Sequence, residues 1–164
     1  MPKGIRPTQE KVRKAFFDIL GNVEGLSFLE LFAGSGAIGF EAVSRRAKEV
    51  VFVEKDKRIA KIIQDNLSLL RCSCYRVIAS DAIRAIKTAA KNKVKFDIVF
   101  LDPPYYRELS KKTLQILGAY DILTPNGLII AQHFKKESLP EAEGDLTLFR
   151  QSRYGDTVLS FYKK

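Results

Sequence analysis

The sequence is short of several things that would narrow its chemistry. It has two cysteines, Cys72 and Cys74, and one histidine, His133. A Cys-x-Cys pair with a single distant histidine supplies neither a zinc ligand set nor a disulfide framework, so the thiols read as reduced and structural, and no metal is expected. No apolar run approaches the roughly 20 residues of a membrane span, so no membrane partner is expected. The N-terminus, MPKGIRPTQEKVRK, lacks the apolar core of a secretory signal, which leaves a cytoplasmic address as the default. No repeat or low-complexity linker interrupts the 164 residues. That length suits one domain with a continuous core, and the default is a monomer. The expected organisation is a single domain over 1–164, with 1–24 as a basic arm and helix and 25–164 as the core carrying the site.

Acidic charge is the other shortage. Lys and Arg total 28 against 19 Asp and Glu, a formal net charge of +9. A polyanionic partner is the first implication, because each Lys or Arg that neutralises a phosphate releases condensed counterions. The bland alternative is a soluble protein with a basic surface. Residues 1–14 carry Lys3, Arg6, Lys11, Arg13 and Lys14 against only Glu10, and the chain closes on Lys163 and Lys164. The charge therefore gathers at the two ends.

What is present is a regular alternation. Thr8 can cap a helix whose apolar positions Val12, Ala15, Phe16, Ile19 and Leu20 follow helical spacing, with Gly21 as a stop. The segments LSFLELF, EVVFVE, YRVIAS and FDIVFL then read as strands, with helical patterns AIGFEAVSRRA, KRIAKIIQDNLSLLR and AIRAIKTAAKN between them. Short apolar runs alternating with longer helical ones predict an α/β fold, a Rossmann-like doubly wound sheet that is mostly parallel. After a helix LSKKTLQILGAYDIL, a Pro125-Asn126-Gly127 turn leads into strand GLIIAQHF. The final runs LTLFRQ and TVLSFYKK are joined too closely for a helical crossover and predict a C-terminal antiparallel hairpin.

Gly34, Gly36 and Gly39 form a G-x-G-x-x-G after the first strand and at the start of a helix. Glycines let the backbone turn sharply and approach a ligand, and the helix N-terminus offers free N–H donors. The same glycines could merely close a tight strand-to-helix turn. Glu54 ends the second strand, where a carboxylate can bind ribose hydroxyls. A dinucleotide would bring its pyrophosphate close to Glu30 and Glu54, whereas S-adenosyl-L-methionine has no phosphate and carries cationic groups that suit an acidic rim. Asp81, after the third strand, can reach the adenine amine, cap the following helix, or do both.

The segment Phe96 to Tyr105, FDIVFLDPPY, runs an apolar strand into a carboxylate, two prolines and a tyrosine. Strand ends at the carboxyl edge of an open α/β sheet form the ligand crevice, which aims Asp102 into the site. Proline donates no N–H and has fixed φ, so Pro103 and Pro104 stiffen the turn and leave carbonyls free to accept. An Asp102 oxygen and the Pro103 carbonyl can together accept both hydrogens of one exocyclic amine, and Tyr105 offers a ring for stacking a base. A rigid strand-to-loop exit is the purely structural alternative. Clamped, the amine can turn its lone pair toward a sulfonium methyl.

Arg6-Pro7-Thr8, Val12-Arg13, Phe17, LELFAGSGAIGFEAVSRRA, VEKD, FDIVFLDPPY and Arg153-Tyr154-Gly155 follow one another over nearly the whole chain. In that order they resemble the bacterial 16S ribosomal RNA guanine-N2 methyltransferases. The resemblance implies S-adenosylmethionine held around Glu30, Gly34, Gly36, Glu54 and Asp81 with their neighbours Phe32, Ala33, Ser35, Lys55 and Ala82. It also implies guanine addressed by Asp102, Pro103 and Tyr105, with Arg6, Pro7, Thr8 and Arg13 near the substrate entrance. The implied partner is 16S ribosomal RNA, alone or within the small subunit. Members of the family usually have a basic, strand-rich segment before Arg-Pro-Thr, where this sequence begins almost at that motif. They also more often have an acidic residue where Gln132 stands, and His133 is assigned no role. An adenine-N6 methyltransferase would share the acceptor pair. A binding module without activity would be expected to lose Asp102 or the glycines, and both are kept.

Overall fold

A computed structural model describes the backbone of residues 7–105 and 108–164, with side chains from residue 9 onward. Arg6 lies outside the described residues, as do the side chains of Pro7 and Thr8. Helix α1 (Pro7–Leu20) already includes Pro7, one residue ahead of the expected Thr8 cap. Proline suits a first helical position because its missing N–H would have had no partner there. The helix buries Val12, Phe16 and Phe17. It stops at Gly21, whose φ of 73° lets its N–H return to the Phe17 carbonyl at 2.9 Å, as expected of a glycine helix end.

Five parallel strands follow the predicted alternation: β1 (Ser27–Leu31), β2 (Glu49–Glu54), β3 (Tyr75–Ala79), β4 (Phe96–Leu101) and β5 (Leu123–Phe134). Between them run α2 (Ala37–Ser44), α3 (Lys57–Ser68), α4 (Ala82–Lys91) and α5 (Leu109–Ala119). Helices α2, α3 and α5 stop three or four residues short of their periodic patterns. For α5 the difference has a cause, because Leu123 already pairs with Phe96 as strand. The predicted Pro125-Asn126-Gly127 turn appears as a bulge inside β5: Phe96 pairs with Leu123, but Ile98 pairs with Leu128. Pro125 cannot donate to a ladder, so the extra residues loop out around it.

The C-terminal hairpin is β7 (Leu146–Tyr154) and β8 (Thr157–Lys163), turning at Gly155 with φ 61°. A short β6 (Ala142–Glu143), which the sequence pattern does not announce, pairs on the outside of β7. The sheet order is β3-β2-β1-β4-β5-β8-β7-β6, so the fold is the mostly parallel sheet with an antiparallel C-terminal end that the sequence predicts. One apolar layer packs α1, α2 and α3 against Phe28, Val50, Phe52, Ile98, Phe100 and Ile130. The other lies beneath α4 and α5 and includes Leu29, Val51, Val53, Val99, Leu101 and Ala131.

Register fixes where the chemistry can sit. Leu31 pairs with both Val53 and Leu101, and Leu101 pairs with Ala131. The next residues, Phe32, Glu54, Asp102 and Gln132, therefore stand at one level, where β1 and β4 have ended while Glu54 and Gln132 still pair with Ala79 and Leu159. Alternation along each strand places Glu30, Phe100, Asp102 and Gln132 on the α1/α2 side.

Candidate active site

The glycine loop is built by backbone conformations that few residues adopt. Gly34 and Gly36 have φ of 55° and 75°, and Gly36 forms the left-handed N-cap of α2. Phe32, just before them, is itself at φ 57°, an uncommon value for an aromatic residue and of the kind that clusters at ligand sites. Gly39 serves another purpose. A Cβ there would lie 2.2 Å from Phe52 Cε1 and 2.6 Å from Glu30 Oε2, so its lack of a side chain lets α2 sit directly on the sheet.

Both carboxylates of the expected rim are anchored by backbone donors. Glu54 Oε2 accepts from Gly34 N–H at 2.9 Å and Oε1 from Asp56 N–H at 2.9 Å, so Glu54 ties the glycine loop to the end of β2. Glu30 is only 3% exposed and accepts from Gly39 N–H at 2.9 Å. Burial, offset by that hydrogen bond and reinforced by the charge of Asp102, pushes its pKa up to about 8. Near neutral pH Glu30 is therefore largely protonated, and a nearby cation would draw it toward the charged form.

At the end of β4, Asp102 is partly buried and its Oδ2 accepts from Gln132 Nε2 at 3.1 Å. Burial pushes its pKa up to about 7. Pro103 is buried and Pro104 exposed. Tyr105 is half exposed, with its ring 6.0 Å from Phe134 at 44°. The hairpin turn at Gly155 lies at the same edge, since Phe134 pairs with Thr157 and Thr157 with Tyr154. Arg153-Tyr154-Gly155 thus comes beside the end of β5.

An open cleft of about 490 Å³ brings many of the expected residues together. Glu30, Phe32, Ala33, Ser35 and Asp102 line it, and Arg13 reaches it from α1. Gly34 and Gly36 form its loop. Glu54 joins through Gly34, while Lys55 is exposed beyond it. Asp81 is observed as a helix cap, accepting from Ile83 and Arg84 N–H at 3.0 and 3.2 Å, with Ala82 buried behind it; neither lines this cleft. Asp56 caps α3 in the same way, a role the sequence reading did not assign.

Cleft residues that sequence reasoning did not assign include Gln9, Phe40, Glu41, Ser44, Phe100 and Gln132. Gln9 could have been found from its turn-spacing to Arg13 on one helix face; Gln132 needed the register of β5. His133 is a buried packing residue. Its Nε2 lies 2.7 Å from Ser160 Oγ, which accepts from Gln151 Nε2 at 2.9 Å, and burial lowers its pKa. The terminal lysines lie far from the cleft. Because β8 runs antiparallel to β5, Lys163 and Lys164 lie at the opposite end of the sheet, where Lys164 pairs with Asp121. Among the described residues, Lys11, Arg13, Lys14 and Arg45 lie beside the cleft, in a groove shared with Glu10 and Glu41.

The family model described as conserved hypothetical protein 95 matches residues 1–163. The chain belongs to that family. It is similar to YlbH of Bacillus subtilis, 38% identical over 97% of this chain and 88% of that protein. It is also similar to the ribosomal RNA small subunit methyltransferase D of Haemophilus influenzae, 35% identical over 98% and 84%. Among solved structures, yhhF of Escherichia coli superimposes with a TM-score of 0.87 at 30% identity, covering 99% of this chain and 89% of that one. The family resemblance read from the motifs is thus borne out. Among the described residues no helix is long and apolar enough to cross a membrane, and no group of three or more His, Cys, Asp or Glu side chains could hold a metal ion.

Proposed function

We propose that the protein transfers a methyl group from S-adenosyl-L-methionine to the exocyclic N2 amine of a guanine in 16S ribosomal RNA. The observation that carries this reading is one cleft that joins the glycine loop, the buried Glu30 and Asp102, the carboxylate that begins the Asp-Pro-Pro-Tyr turn. The name of the Haemophilus influenzae relative, a ribosomal RNA small subunit methyltransferase, supports the substrate class.

The residues suit a cationic, phosphate-free cofactor. Glu30 and Asp102 both keep protons unusually tightly because they are desolvated, and a positive ligand between them would offset that desolvation with Coulomb energy. Glu54 already uses one lone pair of each oxygen, on Gly34 N–H of the loop and on Asp56 N–H after β2, and has others for ribose hydroxyls. When bound, the cofactor supplies an electrophilic methyl group. This chain's contribution is positioning: Asp102 and the Pro103 carbonyl hold the two amine hydrogens, and Tyr105 stacks the base. As the nitrogen gains a methyl group it becomes acidic, and Asp102, with a pKa near 7, can take the proton. Arg13 and the neighbouring basic groove meet the phosphates of the RNA.

Labelled S-adenosylmethionine incubated with small ribosomal subunits, naked 16S RNA and DNA tests the proposal after digestion to nucleosides. N2-methylguanosine from one of the RNA substrates is expected. N6-methyladenine as the product would overturn the guanine assignment, and failure to bind the cofactor in calorimetry would overturn the enzyme reading.

A further inference from the structure

The amine clamp alone does not distinguish guanine from adenine, since both bases present an exocyclic NH₂. The bases differ at the neighbouring ring nitrogen. Guanine N1 carries a hydrogen beside the N2 amine, whereas adenine N1 is a bare acceptor beside the N6 amine. A site for guanine needs an acceptor next to the clamp, and a site for adenine needs a donor.

Gln132 is the neighbour of the clamp carboxylate. It lies within β5 level with Asp102, the residue after β4, lines the same cleft and is partly buried. Its Nε2 donates to Asp102 Oδ2 at 3.1 Å. With the cation of the cofactor bound, Asp102 is held in its ionised form, which only accepts, and in that state this contact sets which way the amide faces. With the nitrogen on Asp102, the oxygen is directed away from it, and among the described residues no side chain donates to Oε1. We propose that Gln132 is the base-selecting residue: anchored to Asp102 through its nitrogen, it offers Oε1 to guanine N1–H and opposes the bare N1 of adenine. This inference deepens the guanine reading above and rests on it.

The row of acceptors from Pro103 through Asp102 to Gln132 complements the N–H groups on the guanine edge. Adenine would place its N1 lone pair against the amide oxygen. Turning the amide over to suit adenine would set that oxygen against the Asp102 carboxylate. A site built around a hydrogen bond rejects the base that cannot make it, because the buried partner is left unpaired. A glutamate at this position would also accept from N1–H, but as a third carboxyl beside Asp102 and Glu30 it would lack the donor that orients Asp102.

The test compares the intact protein with Q132L and Q132E on small ribosomal subunits lacking the modification. Methylated nucleosides are counted, cofactor affinity is measured by calorimetry, and folding is checked by melting. Q132L should lower kcat/KM for guanine by about 10–100-fold, the range for losing one buried hydrogen bond, and should raise the share of methylated adenine. Cofactor affinity should change little. Q132E should recover the guanine preference that Q132L loses, at a lower rate than the native chain. Guanine turnover and base choice unchanged in Q132L, or equal losses in both variants, would overturn the inference. A native chain that makes no N2-methylguanosine would overturn the guanine reading itself.

Discussion

Asp97 and Asp102 stand at opposite ends of β4 and show how surroundings decide the role of a carboxylate. Asp97 accepts from Ser27 N–H at 2.8 Å, Ser27 Oγ at 2.9 Å and Thr124 Oγ1 at 2.8 Å, joining β1, β4 and β5. Burial alone would raise its pKa, but these donors and the charge of Lys48 bring it below the usual value. Asp102 has one side-chain donor and is pushed up to about 7. Asp97 is thus a fixed anion that braces the sheet, and Asp102 can exchange a proton near neutral pH. We expect kcat/KM for methyl transfer to rise as pH passes through about 7 and then level off. A cation in the cleft favours the ionised carboxyl, so the rise in kcat should fall at lower pH; a flat profile from pH 5.5 to 8.5 would contradict this. Glu30 carries the corresponding cost in stability. Its pKa is raised from 4.5 to about 8, so its folded form is most favoured below about 4.5 and loses that advantage as pH rises through about 8. Glu30→Gln keeps an acceptor for Gly39 N–H but cannot ionise. Its melting temperature should match the native protein near pH 4.5 and exceed it by roughly several degrees above pH 8, while its cofactor affinity falls. Scanning calorimetry across that range checks the sign.

Helix α2 is constrained at its start and along its buried face. Gly36 opens it in a left-handed conformation, and Gly39 lets it touch Phe52 and Glu30. Gly39→Ala gains helix propensity but must displace a ring in the closed core, for a net cost of about 1–3 kcal/mol. Urea unfolding measures this, and an unchanged or higher stability would contradict the packing role. The five parallel strands and the final hairpin were legible because apolar runs, glycines and prolines punctuate them. The glycine loop and the Asp102 turn were legible because their residue types have few other uses. What the sequence could not reveal depends on pairing. Gln132 meets Asp102 only because the residues around Pro125 bulge out of β5 and shift its register. Glu30 looks like rim charge in sequence, yet α2 buries it to 3% exposure. Asp81 stayed ambiguous because a cap and an adenine ligand require the same residue at the same place.

For the molecule as a whole, the net charge of +9 matters less than its distribution. The C-terminal lysines lie at the edge of the sheet remote from the cleft, whereas Lys11, Arg13, Lys14 and Arg45 flank it. Replacing Lys11 and Lys14 by Ala should raise KM for RNA and make the salt dependence of binding shallower, by about one in slope for each phosphate no longer neutralised. Cofactor affinity should stay the same, and an unchanged salt slope would move the RNA path elsewhere. In the proposed reaction the end of β4 clamps the acceptor amine, while the glycine loop, Glu30 and Glu54 hold the methyl donor. The most direct test is Asp102→Ala, with cofactor dissociation constant and methyl-transfer rate measured on the same preparation. Transfer should fall by at least about 100-fold, the lower end of the contribution of a positioned acid–base group, with cofactor affinity falling by no more than about tenfold, the share that the lost charge attraction accounts for. Equal loss of affinity and transfer would place Asp102 in the cofactor pocket and contradict the clamp.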